Sequence, residues 1–229
     1  MPSVTGEGGA APAADRKRLA AAACCGLGAA VLAFAVPVAG ACADPGYSHA
    51  SQFISELGAR GAPNATLVAA AGFAPIGALV FAFLWLASGA FPPSLRRTAG
   101  VLCLAAVGAA YLAAAVFPCD PGCPASGSFS QSVHNAFGLL EYLGAMGGLL
   151  LLGAALRGSA AGRVLAATGA VCAILTAVGF LGMMLPRLQP VRGVSQRIAE
   201  AAIFFWIAHA SVVLLWRRRT DERGKGAPA

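Results

Sequence analysis

His134–Leu156 reads HNAFGLLEYLGAMGGLLLLGAAL, and within it only His134 at the edge and Glu141 inside can carry charge near neutral pH. As an α-helix rising 1.5 Å per residue, the run would be about 34 Å long. That is enough to cross a hydrocarbon layer of about 30 Å. No strict apolar–polar alternation runs through it, so a barrel strand is a poor reading. Gly144 and Gly148 form a small-xxx-small pair, the pattern that lets helix backbones approach closely in lipid.

Five further runs share this character: Leu19–Ala41, Thr66–Phe91, Thr98–Pro118, Val164–Leu185 and Ile198–Trp216. The chain of 229 residues is 58% hydrophobic and only 11% charged, with a mean hydropathy of +0.74. Soluble domains carry about 25% charged residues. The expected fold is therefore an all-α integral membrane protein, a six-transmembrane-helix bundle over 19–216. Residues 1–18 are expected as a disordered cytoplasmic segment and 217–229 as a basic cytoplasmic tail.

Lys and Arg favour the cytoplasmic side of short loops. With the N-terminus inside, twelve of the 16 basic residues fall inside, and Arg60, Arg187, Arg192 and Arg197 fall outside. Both termini are thus expected in the cytoplasm, in a bacterial cytoplasmic (inner) membrane. Topology accounts for the net charge of +7 without nucleic acid. Arg16-Lys17-Arg18 followed by an apolar run imitates a signal peptide, but the run exceeds the 7–15 residues usual for a signal core. A retained first helix is expected.

This topology places most of the chemistry outside. FPCDPGCP, residues 117–124, lies in the second outward loop. An oxidising face permits a Cys119–Cys123 disulfide across Asp-Pro-Gly, or pairing of either cysteine with Cys42 in the neighbouring loop. One C-x3-C is a weak zinc signal, so no metal site is assigned. His134 and Glu141, seven apart, share a helix face. Glu141 lies about 10 Å further along it, at a depth where an ionisable group suggests function. Glu200 and His209, nine apart, point in different directions, so they form no dyad. Arg197 is the plain ion-pair partner for Glu200, one turn away.

Three segments fit S-Q-x-[IV]: Ser51–Ile54, Ser130–Val133 and Ser195–Ile198. Five residues beyond each Ser stands a polar group, namely Glu56, Asn135 and Glu200. Ser is a good N-cap, which is the bland reading. The sharper one is three diverged helical hairpins with a shared polar rim. Ile54–Gly58 (ISELG) reads as a short amphipathic helix closed by glycine.

ISELG, FPCDPGCP, QSVHNAFG at Gln131–Gly138, and Gly193–Arg197 with Glu200 and Trp206 together resemble the bacterial membrane family called domain of unknown function 998 (DUF998). The resemblance covers most of Ala41–Trp216 and implies a six-helix membrane bundle, without implying an activity, cofactor or catalytic residue. More distantly, the Ser, Asp and His set resembles intramembrane hydrolases related to alkaline ceramidases, which hold zinc with three histidines. Here His49, His134 and His209 would have to converge from three separate elements, and no H-x-x-x-H pair is present.

The expected function is binding, with modification left open, of a lipid head group or small polar molecule at the outward face. Ligand-binding candidates are Glu56, Arg60, Arg197 and Glu200; catalytic candidates are Asp120, His134 and Glu141. In an enzymatic version His134 would be the base or acid, oriented by Asp120 or Glu141. A small transporter or proton-coupled carrier is the alternative, with Glu141 and His209 as relay groups, Pro75 breaking the second helix, and dimerisation to reach a carrier's size. A metal-dependent intramembrane hydrolase and a non-catalytic assembly or regulatory protein complete the set. The cofactor is unknown, the lipid bilayer is the expected partner, and homo-oligomerisation is left open.

Overall fold

The computed structural model describes residues 13–223. Six helices dominate it: α1 (Ala13–Cys42), α2 (Ala65–Ala90), α3 (Leu95–Val116), α4 (Phe129–Leu156), α5 (Ala160–Met184) and α6 (Arg192–Arg223). All six are long and apolar enough to cross a membrane, and no strand occurs among the described residues. The ends differ from the expected boundaries. Helix α1 already begins at Ala13, inside the segment expected to be disordered, and α6 continues through the expected tail to Arg223. Residues 1–12 and 224–229 lie outside the described residues.

Serine N-caps start three of the helices. The hydroxyls of Ser94, Ser128 and Ser159 accept from the backbone N–H of Arg97, Gln131 and Gly162, satisfying donors that a helix start leaves free. The serines of the S-Q-x-[IV] segments are not the N-caps of these helices, and Phe53, not Ser51, precedes the ISELG turn, so the bland capping reading does not hold for them. Ser130 donates to the Pro118 carbonyl at 2.7 Å, and Ser195 lies inside α6.

Helix α2 is not uniform. It widens to a π-turn over Val68–Phe73 and resumes α-geometry from Ala74. Pro75 explains the site of the change: its ring lacks an N–H and crowds the preceding turn. A widened turn absorbs that crowding, so Pro75 does not break the helix as the carrier reading expected.

Each helix packs against its neighbours in sequence, and α6 closes against α1, making an up-and-down ring of six. Lipid tails are as apolar as leucine, so packing and hydrogen bonds, not the hydrophobic effect, hold such a ring together. Glycines provide the close contacts. A side chain at Gly148 would meet the Leu104 nitrogen at 2.8 Å, and one at Gly179 would meet the Ala199 nitrogen at 2.7 Å. Trp206 is fully buried and donates its indole N–H to the Leu165 carbonyl at 3.0 Å. His209 is joined to Thr168 of α5 at 3.1 Å, a histidine held by a neighbouring helix. On the outside, Phe34, Trp85, Leu102, Val171 and Phe205 form part of an exposed apolar surface. On a soluble protein this would be a liability; it suits a protein solvated by lipid.

The loops 43–64, 117–128 and 185–191 gather at one end of the ring, called here the disulfide end because Cys119 and Cys123 are bridged there. Asp120–Cys123 is a β-turn, with the Cys123 N–H donating to the Asp120 carbonyl at 2.8 Å. Pro121 presets the first central position and Gly122, at φ 77°, occupies the second, as a type II turn requires. At the opposite end, Arg18 of α1 donates to the Leu86 and Trp85 carbonyls at 3.1 and 3.0 Å, a cation on the C-terminal end of α2.

Candidate functional site

A cavity of about 440 Å³ opens into the ring at the disulfide end, within the 300–1,000 Å³ usual for small-molecule sites. Its walls are mostly apolar and come from α2 to α6 with the ISELG turn. Its polar side chains are Glu141, Glu200, Tyr111, Tyr142, His134, Asn135, Gln189, Gln196 and Ser55, with Arg192 at the rim.

Glu200 of α6 is 6% exposed and has both carboxyl oxygens engaged. Tyr111 of α3 donates to Oε2 at 3.0 Å, and Tyr142 of α4 donates to Oε1 at 2.8 Å. The Tyr142 oxygen in turn accepts from Gln196 Nε2 at 3.3 Å. Three helices thus meet at one carboxyl group, and its expected ion pair with Arg197 does not form.

Glu141 is different. It is 7% exposed, lines the same cavity, and its buried Oε1 has no hydrogen-bond partner. Leaving such an atom unsatisfied costs about 1–3 kcal/mol, more if it is charged. His134 also lines the cavity, one face of α4 carrying both groups. Its Nδ1 lies 3.1 Å from the Phe117 carbonyl, which can only accept, so that nitrogen carries the proton.

The other expected site residues build the surrounding frame. Glu56 is buried in the ISELG turn and accepts from the Phe53 N–H at 2.8 Å, from Gln52 at 3.3 Å and from Arg192 at 2.9 Å. Arg197 is spent on the first loop: it donates to the His49 and Gln52 carbonyls at 2.7 and 3.1 Å, to the Tyr47 hydroxyl at 2.7 Å and to His49 Nδ1 at 2.8 Å. Burial, and then the Arg197 charge, hold His49 below its ordinary value of 6.5.

Asp120 does not orient His134, contrary to the enzymatic expectation. Its carboxylate accepts from the Ser128 N–H and hydroxyl, both at 2.8 Å, and these bonds hold it below its ordinary value of 3.8. Arg60 stands 3.9 Å from it with a half-exposed side chain, a geometry worth little in water. Cys42 is exposed and free.

The histidines do not converge as a zinc set: His49 faces Arg197, His134 faces Phe117 and His209 faces Thr168. Among the described residues one group has metal-ligand spacing, Cys119, Cys123 and His134. Two of its three ligand atoms are joined in the disulfide, so those residues offer no thiolates.

The S-Q-x-[IV] segments share a bonding pattern. The side-chain oxygens of Gln52, Gln131 and Gln196 accept from the loop N–H groups of Ser48, Asp120 and Ile54. The nitrogens of Gln52 and Gln131 donate four residues on, to Glu56 and Asn135. Gln196 reaches its counterpart Glu200 through Tyr142.

Arg192 and the tyrosines Tyr111 and Tyr142 were not among the expected site residues. Their signal was faint but present. The chain has only three tyrosines, and all three hydroxyls bond at the disulfide end.

No curated protein and no solved structure matches the chain. The family described as a protein of unknown function (DUF998) matches residues 27–213, a stretch that takes in α2 to α5 whole and most of α1 and α6, and the chain belongs to that family.

Proposed function

We propose that this is a multi-pass protein of the bacterial cytoplasmic membrane, with both termini in the cytoplasm. Its central cavity opens outward and binds a lipid head group or small polar molecule. The observation carrying this reading is Glu141: a residue on the wall of a cavity large enough for a ligand, with one carboxyl oxygen deeply buried and without a partner. A ligand donor would satisfy it. Glu56, Arg197, Asp120 and Arg60 belong to the frame of that site, and Glu200, His134 and Glu141 to its wall.

Gly138 makes a direct test, since a Cβ there would have nothing within 4 Å and the residue lines the cavity. Gly138→Phe should take up part of the cavity without disturbing the fold. Native mass spectrometry of the purified chain should show a co-purifying small molecule or lipid in wild type, displaced in Gly138→Phe. Identical spectra for the two, both free of bound species, would count against the reading.

A carrier is the second reading, supported by one observation. Glu200 also lines a second crevice of about 360 Å³ between α1 and α6, so one acidic residue borders both spaces. Proton flux in vesicles, abolished by Glu200→Gln, would favour it.

A further inference from the structure

The polar groups around the cavity are lopsided in a way that selects the charge of a ligand. Two buried carboxyl groups, Glu141 and Glu200, face it, and no lysine lines it. Its one arginine, Arg192, is held at the rim. Arg192 Nε donates to the Ser51 carbonyl at 3.1 Å, and Nη2 donates to Glu56 at 2.9 Å and to the Gly122 carbonyl at 3.1 Å. Its guanidinium also sits 4.4 Å from the Phe53 ring centre. The protonated nitrogen of His134 is turned to the Phe117 carbonyl, and Asn135 spends its amide on the Pro124 and Ala125 carbonyls. The acids therefore have no cation of the protein's own inside the cavity.

Gln189 and Gln196 spend their amide N–H groups on the Met183 carbonyl and the Tyr142 hydroxyl, and most of the remaining wall is aromatic and apolar. Phe73 of α2 and Tyr111 of α3 meet edge to face at 5.9 Å, and Tyr142 of α4 and Phe180 of α5 lie 5.4 Å apart. Aromatic faces attract a desolvated cation, and quaternary ammonium groups are the cations that such linings suit. Sulfate, phosphate or carboxylate groups would meet two acids, with the Arg192 guanidinium at the rim the one cation on the wall.

We propose that the cavity takes an organic ammonium group, with Glu141 and Glu200 supplying the negative charge and the Phe73–Tyr111 and Tyr142–Phe180 pairs supplying the aromatic wall. The proposal rests on the reading of the cavity as a ligand site and gives that ligand its chemistry. Glu141, which lines the cavity and makes no hydrogen bond in the structure, is the carboxyl group free to pair with it, while Glu200 is held in place by its two tyrosines. Leu139 of α4 and Met184 of α5 line the cavity and are also 47% and 60% exposed, so the space reaches the lipid-facing surface between these helices. An apolar tail has a way out there. The same head-group chemistry is offered by a choline- or ethanolamine-headed lipid and by a soluble amine.

The test is calorimetric titration of the full chain, purified in a neutral maltoside detergent, with four probes. These are choline, its neutral isostere 3,3-dimethylbutan-1-ol, hexyltrimethylammonium and hexyl sulfate. The cations should bind and the neutral and anionic probes should not. Glu141→Gln, which breaks no hydrogen bond in the structure, should weaken the cations by about tenfold or more. Glu200→Gln should do the same if its tyrosine bonds keep it folded. Tighter binding of hexyltrimethylammonium than of choline identifies a lipid as the source; equal binding identifies a soluble amine.

Binding of the neutral isostere or of hexyl sulfate as tightly as the cations, lost in Gly138→Phe, would overturn the charge assignment and leave the cavity a ligand site. Absence of binding by all four probes overturns it too, and the Gly138→Phe mass spectra then decide the ligand-site reading by themselves.

Discussion

The Tyr142 hydroxyl donates to Glu200 Oε1 at 2.8 Å, across the space between α4 and α6. Tyr111 of α3 holds the other oxygen of the same carboxyl group. One acid thereby ties three of the six helices together at the level of the cavity floor. Beside it Glu141, the residue before Tyr142, has a buried oxygen with no such partner. Adjacent residues on one helix thus divide the work, Tyr142 bracing the bundle and Glu141 lining the cavity.

Because Glu200 is buried and doubly bonded, removing one donor leaves an acceptor oxygen desolvated. Tyr142→Phe should cost about 1–3 kcal/mol in stability, and Tyr111→Phe a similar amount. The double substitution, combined with Glu200→Gln in a thermodynamic cycle, should cost less than the sum of its parts. Thermal or denaturant unfolding in detergent measures this, and strict additivity would mean that the three residues do not act as a network.

The glycines predict a contrast within one helix. A side chain at Gly148 meets the Leu104 backbone, whereas one at Gly138 meets nothing. Gly148→Val should destabilise by about 1–3 kcal/mol through overpacking of α3 against α4. Gly138→Ala should be neutral or slightly stabilising, since alanine favours helix. Equal effects at the two positions would contradict the packing described.

The disulfide closes a very short loop, and its removal should be felt mainly at its own end of the bundle. Chain-entropy reasoning puts the contribution at about 2 kcal/mol for a loop this small. Cys119→Ser/Cys123→Ser should lower the melting temperature by that measure and speed hydrogen exchange in 117–128, with little change at Trp206. Free, exposed Cys42 reports on orientation in the same background. A membrane-impermeant maleimide should label it in intact cells if the disulfide end faces outward, whereas labelling only after lysis would invert the proposed topology.

His49 sets a pH dependence. Its folded-state value lies below 6.5, so the unfolded chain binds the extra proton more readily. The stability it contributes is present above about pH 6.5 and is lost as the pH falls below that value. Protonation also turns the Nδ1 acceptor of Arg197 into a donor. Protection against hydrogen exchange in 47–53, taken relative to the intrinsic rate at each pH, should therefore fall between pH 7 and pH 5 in wild type. His49→Gln should flatten that response; an unchanged profile would assign the effect elsewhere.

How much of this was legible in the chain varies from residue to residue. The runs that became helices were plain because hydrocarbon demands long uncharged helices, and no other element fits His134–Leu156. Asp-Pro-Gly announced its turn, because proline and glycine restrict the backbone locally. The Gln of each S-Q-x-[IV] segment stood out by rarity, although the sequence could not say that its side chain would hold a loop N–H. Arg197 departs from its sequence expectation. It stands one turn from Glu200, the spacing of an ion-pair partner, but it points to the first loop, which lies nearly 150 positions earlier in the chain.

Sequence by itself determined the class of fold, the number of membrane-length helices and the end where polar chemistry collects, since each depends on composition within one contiguous segment. Tertiary structure alone decided that α6 closes on α1, that Tyr111, Tyr142 and Gln196 surround Glu200, and that Glu141 is left facing a cavity. These are meetings between side chains on different helices, set by which glycine allows which close approach and by how each helix is rotated about its axis. Periodicity can assign a residue to a helix face, but the partner across the gap is chosen by packing.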